Sequence, residues 1–257
     1  MVVFGITGGS GSGKTSVSKM LRKLGVHIID TDVIAHEIVE PNSDCLNELV
    51  DYFGDSILND DKTLNRKKLA SIAFSDKQKT EALSNITHKY IKAEVVKDIN
   101  TTDAELVGID GAVIIGSNVE PLCEFIVSVI ADKQSRITRI KTRDNITDEQ
   151  AIQRINAQND DEFYKENSMY IIYNNGDIAQ LESDVVGLFN KIKGISFVVK
   201  FLKYIPCYFL SIFVVGTGYI RRLSNKYKNS NILLRMQIIL LNIQKLMTLI
   251  RSWLWRL

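Results

Sequence analysis

The segment Gly8-Gly9-Ser10-Gly11-Ser12-Gly13-Lys14-Thr15 constrains this chain most, because it fits G-x-x-x-x-G-K-[ST] at the junction of a strand and a helix. Val2 to Thr7 is a short β-branched and aromatic run ending at the glycines, and Val17 to Leu24 comes next with helical spacing. A loop of this kind brings backbone N–H groups close to a polyphosphate. Side chains would obstruct that approach, and glycine adopts the required backbone angles cheaply. The anion then meets the N-terminus of the helix that starts near Lys14, where unpaired N–H groups and the helix dipole favour negative charge. The pattern assigns Lys14 to the β- and γ-phosphates and the Thr15 hydroxyl to Mg²⁺. Gly11, Ser12, Gly13 and Ser16 complete the cradle.

Many nucleotide-handling proteins share such a loop, and two absences narrow the choice. The chain has no N-K-x-D segment to read guanine and no L-S-G-G-Q segment of transporter ATPases. An ATP-dependent small-molecule kinase is therefore favoured.

The rest of the chain supplies an α/β frame with a central parallel sheet. Val26 to Ile29, Leu106 to Ile109 and Phe125 to Ala131 are apolar runs of strand length, each read as leading into a helix, which implies βαβ units. Asn65 to Asn100 reads as a helical insertion with few breakers. Lys133 to Arg143 and Thr147 to Gln158 read as two Arg-rich helices, the second opened by a Thr147/Gln150 capping box. Tyr170 to Tyr173 is a last strand, and Asn174-Asn175-Gly176 turns the chain into a final amphipathic helix to about Lys193.

Phosphoryl transfer to a hydroxyl needs a group that accepts its proton, and a carboxylate at the C-terminal end of a neighbouring parallel strand can occupy that place. Asp30 and Asp32 come directly after the second strand. Asp32 also stands where it could instead cap the helix read over Val33 to Val39, so both readings are open.

Ile6-Thr7-Gly8-Gly9, Ile29-Asp30-Thr31-Asp32, Tyr52-Phe53-Gly54, Leu64 to Leu69 and Ile86-Thr87-His88 come in order along the chain, and Asp110, Arg139-Ile140, Arg143-Asp144, Arg154-Ile155, Gln158 and Asn174-Asn175-Gly176 come after them. On these segments rests, from Val3 to about Leu188, a resemblance to the dephospho-CoA kinase family. It implies transfer of the ATP γ-phosphate to the 3′-hydroxyl of dephospho-CoA, with Mg²⁺, giving coenzyme A and ADP. By the same resemblance Asp32 is the base, residues 65–100 bind the CoA moiety, and residues 133–165 form a lid. Arg139 and Arg143 match lid positions that close on phosphate, while His88 and Asp110 match substrate-side positions. Two departures stand out. Lys89 comes after His88 where the family usually has proline, and Gly116 replaces a common glutamate six residues after Asp110.

Charge separates this body from the C-terminal tail. Of the 32 basic residues 10 lie after Gly194, whereas all 30 acidic residues lie before Ile195, leaving residues 1–194 at −8 and residues 195–257 at +10. An acidic body argues against general attraction to nucleic acid. Cys45, Cys123 and Cys207 are far apart and read as idle thiols, with no disulfide framework or zinc site. The body reads as cytoplasmic, since its first residues carry no signal-peptide pattern. In the tail, Tyr204 to Ile220 is 17 residues without charge, the short limit for a membrane span. Residues 232–250 read as a basic amphipathic helix suited to an anionic membrane surface. Packing on the body or on another copy, or a tail incidental to the activity, are the open alternatives. The sequence carries no sign of the oligomeric state.

Overall fold

In the computed structural model, five parallel strands stack in the order β2-β3-β1-β4-β5. They are β1 (Val2–Thr7), β2 (His27–Asp30), β3 (Leu106–Asp110), β4 (Phe125–Ile130) and β5 (Tyr170–Tyr173). The structure describes residues 1–204, without the side chains of 195 and 197–204. Met1–Phe197 makes up one compact unit and Val198–Leu257 a second. The span read over 204–220 and the amphipathic helix over 232–250 lie, Tyr204 apart, outside the described residues. Among those described, no helix is long and apolar enough to cross a membrane.

The strands are near-continuous apolar runs because both faces of the sheet are covered. On one face Val2, Phe4, Ile6, Val127, Val129 and Ile172 pack against α1 (Lys14–Lys23) and α9 (Ile178–Tyr204). On the other, Val3, Val107, Ile109 and Ile126 meet α2 (Thr31–Glu37), α3 (Asp44–Phe53), α4 (Arg66–Ala73) and α5 (Lys77–Thr101). Alternate residues of one strand thus feed two separate cores. α6 (Lys133–Asp144) and α7 (Asp148–Asn156) bury Ile137, Ile140, Ala151 and Ile155 in a third, small cluster of their own.

Local chemistry sets the helix boundaries. Asn65 caps α4, its side chain accepting from Lys68 N–H at 3.0 Å, and Asp76 caps α5 by accepting from Gln78 N–H at 2.9 Å. These two caps divide the stretch read as one insertion into a short and a long helix. The capping box at Thr147 and Gln150 forms with both reciprocal bonds. α2 begins at Thr31, two residues before the start read from sequence, because Asp30 and not Asp32 is its cap. No α-helix lies between β3 and β4. The exit from β3 turns at Gly116, whose φ is 78°, and continues through a 3₁₀ turn over Glu120–Leu122 before β4. α3 and α8 (Asp161–Glu166) add to the helices read from sequence, and α9 runs past Lys193 to Tyr204.

Burial pushes the free thiol of Cys45 up to about 11 and that of Cys123 to about 12, so both stay protonated and inert near neutral pH. Cys207 lies outside the described residues.

Leu49, fully buried on α3, anchors the helical layer to the sheet. Leu49→Ala should cost about 2–5 kcal/mol in urea unfolding of the intact chain, through lost transfer energy and the cavity left behind.

Candidate active site

The chain leaves β1 toward β2 on one side of the sheet and leaves β4 toward β5 on the other, so the C-terminal ends of β1 and β4 part. Open parallel sheets bind ligands at such a divergence. The Gly8–Thr15 loop lies there, with Gly8 against the Val129 carbonyl of β4.

Three side chains from α6 and the turn after β5 hold the loop's carbonyls. Arg139 donates from Nη1 to the carbonyls of Gly11 (3.2 Å) and Ser12 (3.3 Å), and from Nη2 to that of Asn174 (2.9 Å). Asn174 Nδ2 also donates to the Ser12 carbonyl at 2.8 Å, and Arg136 Nε to the Ser10 carbonyl at 2.9 Å. In a trans peptide C=O and N–H point opposite ways. Holding the carbonyls of Ser10 and Ser12 on one side therefore turns the N–H groups of Gly11 and Gly13 to the other. Gly13 opens α1 at φ 98° with no side-chain cap, which leaves the helix's first N–H groups available to an anion. A Cβ at Gly13 would lie 2.0 Å from Asn174 Nδ2, so glycine is required there by contact as well as by conformation.

Lys14 and Asp110 form a close ion pair, with Asp110 3% exposed. Asp110 ends β3, in register with Ile6 of β1 and Asp30 of β2, so its carboxylate reaches the loop's lysine directly. Thr31 Oγ1 donates to the Asp110 carbonyl at 3.0 Å and Thr7 Oγ1 to the Ala112 carbonyl at 3.2 Å, fixing the backbone on both sides of Gly111. Asp110, read on the substrate side, thus joins the phosphate-loop side. The Thr15 and Ser16 side chains are exposed at the first turn of α1.

The aspartate that ends β2 and the one in the first turn of α2 differ in their contacts. Asp30 Oδ1 accepts from the N–H groups of Asp32 (3.0 Å) and Val33 (3.2 Å). Capping is therefore done by Asp30. Asp32 is exposed at the start of α2, and its carboxylate has no protein partner among the described residues.

Arg143 and His88 lie apart from this cluster's contacts. Arg143 grips Asp144 through two bonds of 2.7 and 2.9 Å, and Arg154 holds the same carboxylate. The hydrogen bond from Arg143 pulls the Asp144 carboxyl below its usual range. His88 is exposed on α5. Its Nδ1 lies 3.4 Å from Ser84 Oγ, and its carbonyl accepts from Asn118 Nδ2 at 2.7 Å. Lys89, in place of proline, donates to Glu48 at 2.6 Å, and Tyr90 donates to the same oxygen at 2.7 Å, so ionic contact ties α5 to α3. Gly116 N–H donates to Glu120 at 2.6 Å. The sequence pattern does not single out Arg136, and it gives Gln158 and Asn174 no role. The available signal is the spacing of Arg136, Arg139 and Arg143, which share one stripe of α6.

A doubly flanked parallel sheet, a lysine-bearing phosphate loop and a carboxylate on the adjoining strand define a P-loop kinase. The family model for dephospho-CoA kinase matches residues 2–180. The chain belongs to the dephospho-CoA kinase family. It is 34% identical over 191 residues to the dephospho-CoA kinase of Lactobacillus johnsonii, covering 73% of this chain and 96% of that one. A Listeria monocytogenes relative of the same name is 35% identical over 184 residues, covering 70% and 92%. Among solved structures, dephospho-CoA kinase from Campylobacter jejuni superposes with a TM-score of 0.56 at 26% identity, over 75% of this chain and 98% of that one. A Thermus thermophilus crystal structure gives 0.65 at 25% identity, over 74% and 97%.

Gly13→Ala should weaken binding of a nucleoside triphosphate by at least about tenfold, because the Cβ displaces Asn174 and strains the loop. Calorimetric titration alongside an unchanged circular-dichroism spectrum would check this.

Proposed function

We propose that this enzyme transfers the γ-phosphate of ATP to the ribose 3′-hydroxyl of dephospho-CoA, giving coenzyme A and ADP, the last step of coenzyme A synthesis. The observation that carries the reading is the Asp32 carboxylate, which has no protein partner among the described residues and stands in the first turn of α2, just past the end of the strand beside β3, in a chain of this family. A proton acceptor must be free of structural hydrogen bonds to take up the hydroxyl's proton, and Asp30 relieves Asp32 of the cap.

On the donor side, the N–H groups of Gly11, Gly13 and the start of α1 bind the triphosphate, with Ser12 and Ser16 lining it. Lys14 leaves Asp110 to meet the β- and γ-oxygens. The Thr15 hydroxyl, next to Lys14 in the chain, and the Asp110 carboxylate, paired with Lys14, are hard oxygen donors of the kind that suits Mg²⁺. Bound there, Mg²⁺ would neutralise charge building on the phosphate oxygens. Arg139 acts by holding the loop, and its guanidinium sits close enough to add positive potential. Arg143 is available to ATP because an exposed ion pair such as that with Asp144 is worth only about 0–1 kcal/mol. Residues 65–100 form the CoA-binding part, with His88 on its surface, and residues 133–165 the lid. The reading assigns residues 1–194 to the cytoplasm as the kinase domain and leaves any membrane contact to residues 195–257.

Asp32→Asn should lower kcat for dephospho-CoA by about 10²–10⁴-fold, while ATP affinity changes by less than about threefold. Unchanged turnover would remove Asp32 as the base. An acceptor screen of the native chain, dephospho-CoA against nucleosides with ³¹P detection of the phosphorylated position, tests the substrate itself. Turnover of a nucleoside with none of dephospho-CoA would overturn the assignment.

A further inference from the structure

Ser10, at the tip of the phosphate loop, is held at all three of its polar atoms by residues 136 and 158. Its N–H donates to Gln158 Oε1 at 2.8 Å, its Oγ accepts from Gln158 Nε2 at 3.0 Å, and its carbonyl accepts from Arg136 Nε at 2.9 Å. Arg136 Nη2 also donates to Gln158 Oε1 at 3.2 Å, which fixes the amide in the orientation that serves Ser10. Arg136 is 5% exposed, and its nearest carboxylate, on the half-exposed Asp161 of α8, lies 3.7 Å away. A guanidinium so deeply buried, with only a long contact to a half-exposed carboxylate, is a costly way to fill space. Its hydrogen bonds to the loop give the burial a purpose. A Cβ at Gly9 would lie 2.3 Å from Arg136 Nη2, so the loop sequence leaves room for this arginine.

We propose that Arg136 is a positioning residue for triphosphate binding. By holding the Ser10 carbonyl and orienting Gln158, it aims the Gly11 N–H into the phosphate cradle and ties the loop's shape to the segment carrying α6 to α8. It acts through Ser10 and Gln158 and touches no substrate atom itself. The inference rests on the loop binding ATP and is independent of which hydroxyl receives the phosphate.

The test uses the intact chain with Arg136→Lys, which keeps the charge and loses the planar fork, and Gln158→Ala, a milder truncation of a partly exposed residue. ATP Kd is measured by calorimetry without acceptor, and KM for each substrate, kcat and Tm are measured separately. Arg136→Lys should weaken ATP Kd and raise ATP KM about tenfold, and Gln158→Ala about threefold, each losing hydrogen bonds to the loop. The acceptor KM should stay within about twofold, and the effects of the double variant should be less than additive. ATP Kd within twofold of native in both variants would overturn the proposal. So would a uniform loss, in which ATP KM, acceptor KM and Tm all worsen together, since that marks a merely structural role. A native chain that fails to bind ATP would instead overturn the ATP reading underneath.

Discussion

A phosphate loop must present N–H groups to solvent-facing space while its own carbonyls are kept from water and from the anion, and the rest of this structure depends on how that is done. Glycine supplies the necessary angles but also many others, at an entropic cost. Freedom alone would leave the cradle one conformation among several. Here the carbonyls of Ser10, Gly11 and Ser12 are bound from behind by Arg136, Arg139 and Asn174. Those donors come from α6 and from the turn after β5, whose own positions are set by β4 and by the strand at its edge. Asn175 completes the tie by accepting from the Asp132 N–H at 2.8 Å, at the start of α6. Sheet, α6 and loop are therefore one hydrogen-bonded system.

The parallel register does the same for the carboxylates. Because Asp30 and Asp110 are paired in adjacent strands, their side chains arrive at one edge without any loop having to carry them. Strand ends are rigid compared with loops. The small residues after β3 let the chain pass close beneath: a Cβ at Gly111 would lie 2.4 Å from Thr31 Oγ1. That close passage lets Thr31 hold the Asp110 backbone while Asp110 holds Lys14. One short exchange of bonds thus connects α2, β3 and α1.

The phosphate loop, the parallel sheet and the helical stretches were legible because each depends on local spacing, the strands on apolar runs and α7 on its capping box. Which of Asp30 and Asp32 caps α2 was not legible. Either could cap a helix, and the choice is made by where β2 stops pairing with β3, which is a tertiary fact. Arg136 was hidden for a similar reason. An arginine on a helix is by default a solvated residue, and only the packing of Ile137 and Ile140 turns that stripe inward. Arg143, a turn further along the same stripe, meets Asp144 and stays outside. Identical residues at regular spacing thus took opposite environments according to what each found opposite it. The helix-free exit from β3 was misread because apolar residues 112–115 continue the pattern, while Gly111 and Gly116 break it.

An acidic body that binds a triphosphate is not a contradiction, because surface charges more than about 10 Å away are largely screened at moderate salt. What matters is the sign of the charges that water does not reach. Asp110 is buried but paired with Lys14, so it adds little net field until that pair separates. Arg136 is buried, Arg139 partly so, and both donate mainly to neutral groups; Arg136 adds only a 3.7 Å contact to Asp161, which leaves much of their positive charge facing the loop. Donating to a carbonyl also polarises the peptide and strengthens the N–H at its other end. The same two arginines therefore give the loop its shape, its local potential and more acidic donors, without either needing to contact the phosphate. A lysine on the surface could supply only the potential, screened and without direction. Placing guanidinium groups behind the loop gives a chain with a net-negative body a locally positive phosphate cradle.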